Sequence, residues 1–242
     1  NRNPANLQSA LEIGRRAGER TIARLGSQKI ASTTAPVLFD PVMAKSLVGH
    51  LLGSLKGGAI YKKASFMLDK IDQQILPGFF NLSEHPHLMG GNNSSLHDSE
   101  GVGTPVQRSI VENGVLQSYI LGSYTARKLG TQSTANAGGV RNIRLSSTGQ
   151  DFSTLLKELG TGLLVTELIG SGVNSVTGDY SRGAAGFWVE NGELAYPVEE
   201  ITIAGNLVNM YKNIVAIGND TDQRGNTHCG SILLESMTIA GS

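Results

Sequence analysis

GFWVENGELAYPVEEITIAG, residues 186–205, decides the fold. Asn191-Gly192 joins two runs of apolar residues. Asparagine and glycine both accept positive φ, so the pair is a tight-turn signal and the stretch reads as a β-hairpin. Just upstream, GLLVTELI at 162–169 is a further strand. SILLESMTIAG at 231–241 closes the chain as another. Between them Asn206 caps a predicted helix, with Leu207, Met210, Tyr211, Ile214 and Val215 on one face. Strands dominate this half, hairpins join them and helices are interspersed. The fold class is therefore α+β, mainly antiparallel sheet, and not a run of βαβ units.

The first half carries more helix. Pro4, Leu7, Leu11, Ala17, Ile22 and Leu25 predict an amphipathic helix stopped at Gly26. APVLFD at 35–40 is a short strand. Asp40-Pro41 then starts a largely buried helix over 41–55, with Val42, Met43, Leu47, Val48, Leu51, Leu52 and Leu55 on one side. Residues 77–105 and 130–150 read as loop. QRSIVENGVLQSYIL at 107–121 is a second hairpin, turning at Asn113-Gly114. VENGVL at 111–116 echoes VENGEL at 189–194, which fits either internal duplication or two uses of the same hairpin chemistry. Asp151 caps a helix with Phe152, Leu155, Leu156 and Leu159, ended by Gly160.

The 242 residues suffice for one large domain or two small ones. Twenty Lys and Arg balance 20 Asp and Glu, which argues against nucleic acid as the main partner. A single cysteine, Cys229, forms no intrachain disulfide and suits a reducing cytoplasm. No apolar run reaches the roughly 18–20 residues of a membrane span. No signal peptide opens the chain, and a first residue of Asn rather than Met predicts a missing upstream part.

His50 is the residue on which function turns. It is a core histidine, half of a metal site, or the remnant of one. A zinc-protease helix carries a second histidine and a glutamate that takes the proton of the metal-bound water, and no H-E-x-x-H occurs here. Lys45 and Ser46 stand five and four residues before His50. With one Cys and five His, only a catalytic-type metal site is arithmetically open. Cys229, beside His228, reads by default as a small buried thiol and less readily as a nucleophile. His85 and His87 fall on one face if their segment is extended, which offers an adventitious metal site or a solvated loop. Gly170-x-Gly172 lacks the lysine and helix of a phosphate loop. The densest polar stretch is Thr177–Gly186. Its Arg182 can pair with Asp179, shaping a turn, or with a peptide carboxylate.

At these residues the sequence resembles a known family. GLLVTELIGSGVNSVTGDYSRGAAGFWVENGELAYPVEEITIAGNL, NIVAIGND, HCGSILLESMTIAG, APVLFDPVMAKSLVGHLLGSLKGG and SYTARKLGTQSTANAGG together resemble the TldD/PmbA family, in its PmbA (TldE) branch. The resemblance covers essentially the whole chain. It implies a C-terminal portion: residues 1–30 as a connecting helix from a missing N-terminal domain, and 31–242 as the C-terminal domain. It further implies a cytoplasmic TldD–TldE zinc metallopeptidase that trims unfolded peptides, including a microcin precursor and an antitoxin. Older descriptions of the family as DNA gyrase modulators leave a non-enzymatic binding role as an alternative.

The resemblance also assigns residues. The TldD branch carries H-E-x-x-x-H where this chain reads Lys45-Ser46-Leu47-Val48-Gly49-His50, and a metal-binding cysteine at the position of Cys229. His50 and Cys229 are then a vestigial, unfilled metal pair, with no catalytic residue and no cofactor in this chain. Zinc is expected in a TldD-like partner subunit, as a heterodimer, with a homodimer in its absence. The alternative is a metallopeptidase in its own right using His50 and Cys229. Tyr180 and Arg182 are the expected substrate-binding residues, with Ser181–Gly186 as a strand edge along which a peptide adds by main-chain hydrogen bonds.

Overall fold

The computed structural model describes residues 2–241. Two sheets share one apolar core, and the larger closes on itself. Its strands are β1 (Thr33–Phe39), β6 (Gly162–Ile169), β7 (Asp179–Glu190), β8 (Glu193–Asn206), β9 (Ile214–Ile217) and β11 (Ile232–Ala240). They run in the order β1-β6-β7-β8-β11-β9, and β1 also pairs with β11. The ring β1-β6-β7-β8-β11 thus closes on itself, with β1 meeting β6 over Val37–Phe39 and β8 meeting β11 over Thr202–Ala204. One joint, β1 to β6, is parallel; the others in the ring are antiparallel. The smaller sheet is β10-β5-β2-β3-β4, from Thr227–His228, Ile143–Leu145, Leu82–Glu84, Arg108–Glu112 and Val115–Leu116. The α+β class with mainly antiparallel sheet is what the structure has.

Both Asn-Gly turns form as the residue types require. Asn113 and Gly114 sit at φ 49° and 78°, and Asn191 and Gly192 at 53° and 80°. One turn lies in each sheet, with the same turn chemistry in both.

The helix α2 (Pro41–Ser54) starts as its sequence demands: the Asp40 carboxylate accepts the Met43 amide at 2.7 Å, with proline in the first turn. Ala44, Leu47, Val48, Leu51 and Leu52 enter the core. The short α3 (Gly57–Tyr61) and α4 (Ser123–Lys128) follow the same surface. Asp151 likewise caps α5 (Phe152–Leu159) by accepting the Thr154 amide at 2.8 Å, and Gly160 ends it at φ 66°.

 In α5, Phe152–Leu159, the buried residues are Leu155 and Leu159.

Four expectations need correction. The N-terminal helix does not run from Pro4. A single 3-10 turn covers Pro4–Asn6, and α1 proper is Ala10–Ala23, because Ser9 caps it by accepting the Glu12 amide at 3.1 Å. None of the α1 residues is buried, and Leu11 is 84% exposed. The helix after Asn206 is α6 (Leu207–Lys212) and stops before Ile214. Ile214–Ile217 is instead β9, since these residues pair with Ile232–Leu234, a tertiary gain that outweighs local periodicity. The two presumed loops each contribute a short strand, β2 and β5, which pair with each other. The hairpin at 107–121 pairs only as far as Leu116.

Candidate functional site

The site builds outward from α2. An α-helix advances about 100° per residue, so residues five apart point about 140° away from each other. Lys45 and His50 accordingly meet different neighbours. Lys45 Nζ lies 2.9 Å from Asp222 Oδ2 and donates to the Arg224 carbonyl at 2.6 Å. Asp222 also takes two side-chain hydrogen bonds from Arg224, at 2.8 and 3.0 Å. Its amide bonds the Cys229 carbonyl at 3.1 Å. The lysine therefore fastens α2 to the segment that carries Cys229.

Burial acts to raise the Asp222 pKa, but hydrogen bonds from Arg224 and Lys45 outweigh it and hold the carboxyl well below the usual carboxylate range. A folded-state pKa below the unfolded one gives stability that is present above about pH 3.9 and lost as pH falls below it. Asp222→Asn should flatten the acid limb of a stability-versus-pH curve; an unchanged limb in urea titrations would show that the pair contributes nothing.

Cys229 is fully buried. Burial pushes its thiol up to about 12, against the lowering by Lys45, and its Sγ lies 3.0 Å from the Gly230 carbonyl as a donor. The charges acting on it are those of Lys45, Asp220 and Asp222.

His50 faces the other way. Its ring meets that of Tyr180 edge-on, with centroids 6.1 Å apart. Burial first, then the Arg182 charge, lowers its pKa and favours the neutral imidazole. Tyr180 is 1% exposed, and burial pushes its hydroxyl up to about 12 although Arg182 acts to lower it. His50 Nε2, Tyr180 Oη and Arg182 Nε are all buried without a hydrogen-bond partner among the described residues. His50 and Arg182 line a cavity of about 460 Å³, with Phe66, Val173 and Leu207 as apolar wall and Lys56 among its lining cations.

The structure therefore brings Tyr180 and Arg182 to His50, and places Cys229 in a separate group with Lys45, Asp220 and Asp222. Asp179 does not pair with Arg182. It accepts hydrogen bonds from Thr177 at 2.5 Å and Asn206 at 3.2 Å. The Ser181–Gly186 stretch offers no strand edge. Gly183–Gly186 pairs with β6 on one side, and Ser181–Gly186 with β8 on the other, so a peptide cannot add there. The small residues serve close strand packing instead: a Cβ on Gly186 would stand 1.8 Å from the Leu164 carbonyl oxygen. His85 and His87 do not converge, because each binds its own hydroxyl, Ser83 at 2.9 Å and Thr104 at 3.0 Å.

One buried group has no sequence signal. Glu84 is fully buried in a segment that reads as loop. It accepts from the Asn136 amide group at 2.9 Å and the Arg141 backbone at 2.5 Å, and pairs with Arg108. Its partners lie 24 to 57 residues away along the chain.

The donor set does not fit a hydrolytic zinc. No three His, Cys, Asp or Glu side chains are grouped to hold a metal among the described residues. At the two α2 positions where the resemblance implies a ligand and a general base, the structure has an ion-paired ammonium, Lys45, and a hydroxyl, Ser46, which donates to the Met43 carbonyl at 2.7 Å.

A family model described as the PmbA/TldA metallopeptidase C-terminal domain matches residues 32–241. The chain belongs to the PmbA/TldD family, in its PmbA branch. It is 52% identical over 237 residues to Metalloprotease PmbA of Escherichia coli O157:H7, covering 98% of this chain and 52% of that protein. It is 48% identical over 238 residues to a PmbA homolog of Haemophilus influenzae, again covering 98% of the chain and 52% of the relative. The chain thus spans about half the length of the curated relatives it matches. A crystal structure of a candidate DNA gyrase modulator from Thermotoga maritima superposes with TM-score 0.91 at 35% identity, over 98% of this chain and 56% of that one. TldE from Thermococcus kodakarensis, at 22% identity and TM-score 0.82 over 96% of this chain and 55% of that one, shares the fold.

Proposed function

We propose that the chain is the C-terminal part of a TldE-type subunit of a cytoplasmic, two-component zinc metallopeptidase that trims unfolded peptides. A TldD-like partner holds the zinc, and this chain completes the assembly without a hydrolytic metal of its own. The observation that carries the reading is the Lys45–Asp222 ion pair at 2.9 Å, on the helix where a zinc peptidase needs imidazole and carboxylate. Residues 1–30 serve as the connection to an N-terminal domain. The exposed apolar side chains of α1 and the doubled length of the relatives support that role. No described helix is long and apolar enough to cross a membrane.

The test is co-purification of the full-length protein with a TldD-type partner, followed by cleavage of an unfolded peptide and metal analysis of each component. The pair is expected to cleave, and this component alone to be inactive and without stoichiometric zinc. Cleavage by this component alone, with zinc bound through His50 and Cys229, favours the second reading of an independent metallopeptidase. Relatives named as metalloproteases support that second reading. Within the pair, replacing Tyr180 and Arg182 together should slow trimming by about tenfold or more without separating the subunits. Unchanged trimming removes these two residues from the substrate path.

A further inference from the structure

The cavity beside α2 carries a charge without a counterion. Arg182 has its Nε buried and unpartnered. It takes part in none of the ion pairs among the described residues. A guanidinium that is partly desolvated and unpaired costs stability, and such sites persist where a ligand supplies the missing partner. No acidic residue lines the cavity, while Lys56 adds a second cation to its lining. Beside these cations stand Phe66, Val173 and Leu207, a surface for one apolar side chain. His50 offers a ring nitrogen, Nε2, without a partner among the described residues, and the Tyr180 ring meets its imidazole edge-on.

We propose that this cavity binds the free C-terminal carboxylate of a peptide, with its last side chain against Phe66, Val173 and Leu207. The carboxylate pairs with the terminal nitrogens of Arg182, in the planar two-bond geometry that a guanidinium favours. His50 adds a third hydrogen bond. Tyr180 is a positioning residue: its ring fixes the imidazole and its hydroxyl stands beside Arg182. A volume of about 460 Å³ suits a residue or two and excludes a folded chain end. Between the lining residues Ser171 and Val173, Gly172 packs closely on the neighbouring strand, where a Cβ would meet the Ser181 carbonyl oxygen at 2.0 Å. The assignment rests on the peptide-handling reading above but needs no zinc and no partner.

The test is fluorescence anisotropy with an N-terminally labelled Gly-Ala-Leu, as the free acid and as the C-terminal amide, on the full chain without any partner. The free acid is expected to bind about tenfold or more tightly than the amide. Arg182→Gln should abolish that preference, and Arg182→Lys should keep part of it, because charge remains while the two-bond geometry is lost. Both variants should melt no lower than the parent, since a partly desolvated, unpaired charge is removed or relocated. Equal affinity for acid and amide overturns the proposal, as does an acid preference that survives Arg182→Gln, or no binding of either peptide. A pair that trims peptides yet shows no acid preference sinks this inference alone. An acid preference in a chain that never pairs with a TldD-type partner sinks the functional reading alone.

Discussion

Glu84→Ala should melt roughly 10 °C below the parent, the largest loss expected from any single side-chain truncation here. The carboxylate has no exposed surface and is shared by Arg108, Asn136 and the Arg141 backbone. Arg108 is itself largely buried and also donates to the Thr134 carbonyl. Removing one partner of such a pair leaves the other as an uncompensated buried charge, which costs about 3–5 kcal/mol. A chain of this length loses about 2–4 °C for each kcal/mol. The segment around Asn136 and Gly139 has little apolar content to replace what is lost, and Asn136 bonds the Gly139 carbonyl at 3.3 Å as part of the same network. Glu84→Gln should fall between, because one acceptor oxygen survives while the charge does not. Calorimetric melts of the three proteins decide it. A Glu84→Ala midpoint within about 2 °C of the parent would mean that the network adds nothing to stability.

Gly186→Ala should cost about 3 kcal/mol or leave the protein insoluble. The added methyl carbon would meet Leu164 O at 1.8 Å, Leu164 C at 2.9 Å and Val165 Cα at 3.1 Å. All three are backbone atoms, so no side chain can swing away. β6 cannot retreat either, because β1 holds its other edge within the closed barrel. Overpacking costs of about 1–3 kcal/mol assume that neighbours yield, and here they are pinned. Gly183→Ala is the control. Its new methyl would meet Ile169 Cβ at 3.3 Å, near the end of β6, where a few tenths of an ångström are available. The gain of about 0.4–1 kcal/mol from a stiffer unfolded chain is comparable to that strain. Urea unfolding should therefore separate the two variants clearly; equal stability would contradict the barrel as the source of the effect.

The two stability effects bear on function through the same frame. β7 carries Tyr180 and Arg182, and its pairing with both neighbours sets where those side chains stand relative to His50 on α2. Strand-edge capture of a peptide at Ser181–Gly186 is closed by that pairing.

Reading the residues alone placed the elements whose causes are local. The Asn-Gly turns at 113–114 and 191–192, the Asp40-Pro41 start of α2, and the Asp151 cap and Gly160 stop of α5 all depend on contacts within a few residues. Side chain and backbone there satisfy each other whatever the rest of the chain does. The family resemblance likewise lay open in the order of long segments, and with it the Lys45 and Ser46 replacements. Tertiary structure alone decided the rest. The barrel closes through β1, which pairs with a strand about 125 residues further on and another about 200 away, and no periodicity announces such pairings. β9 looked helical until β11 supplied its ladder. Glu84 looked solvated until Arg108 and Asn136 surrounded it. The separation of Lys45 from His50 follows from helical geometry, but what each would face did not. Only the packed molecule could put an aspartate against the one, and an unpaired arginine with a buried tyrosine against the other, because those partners come from strands and loops remote in sequence.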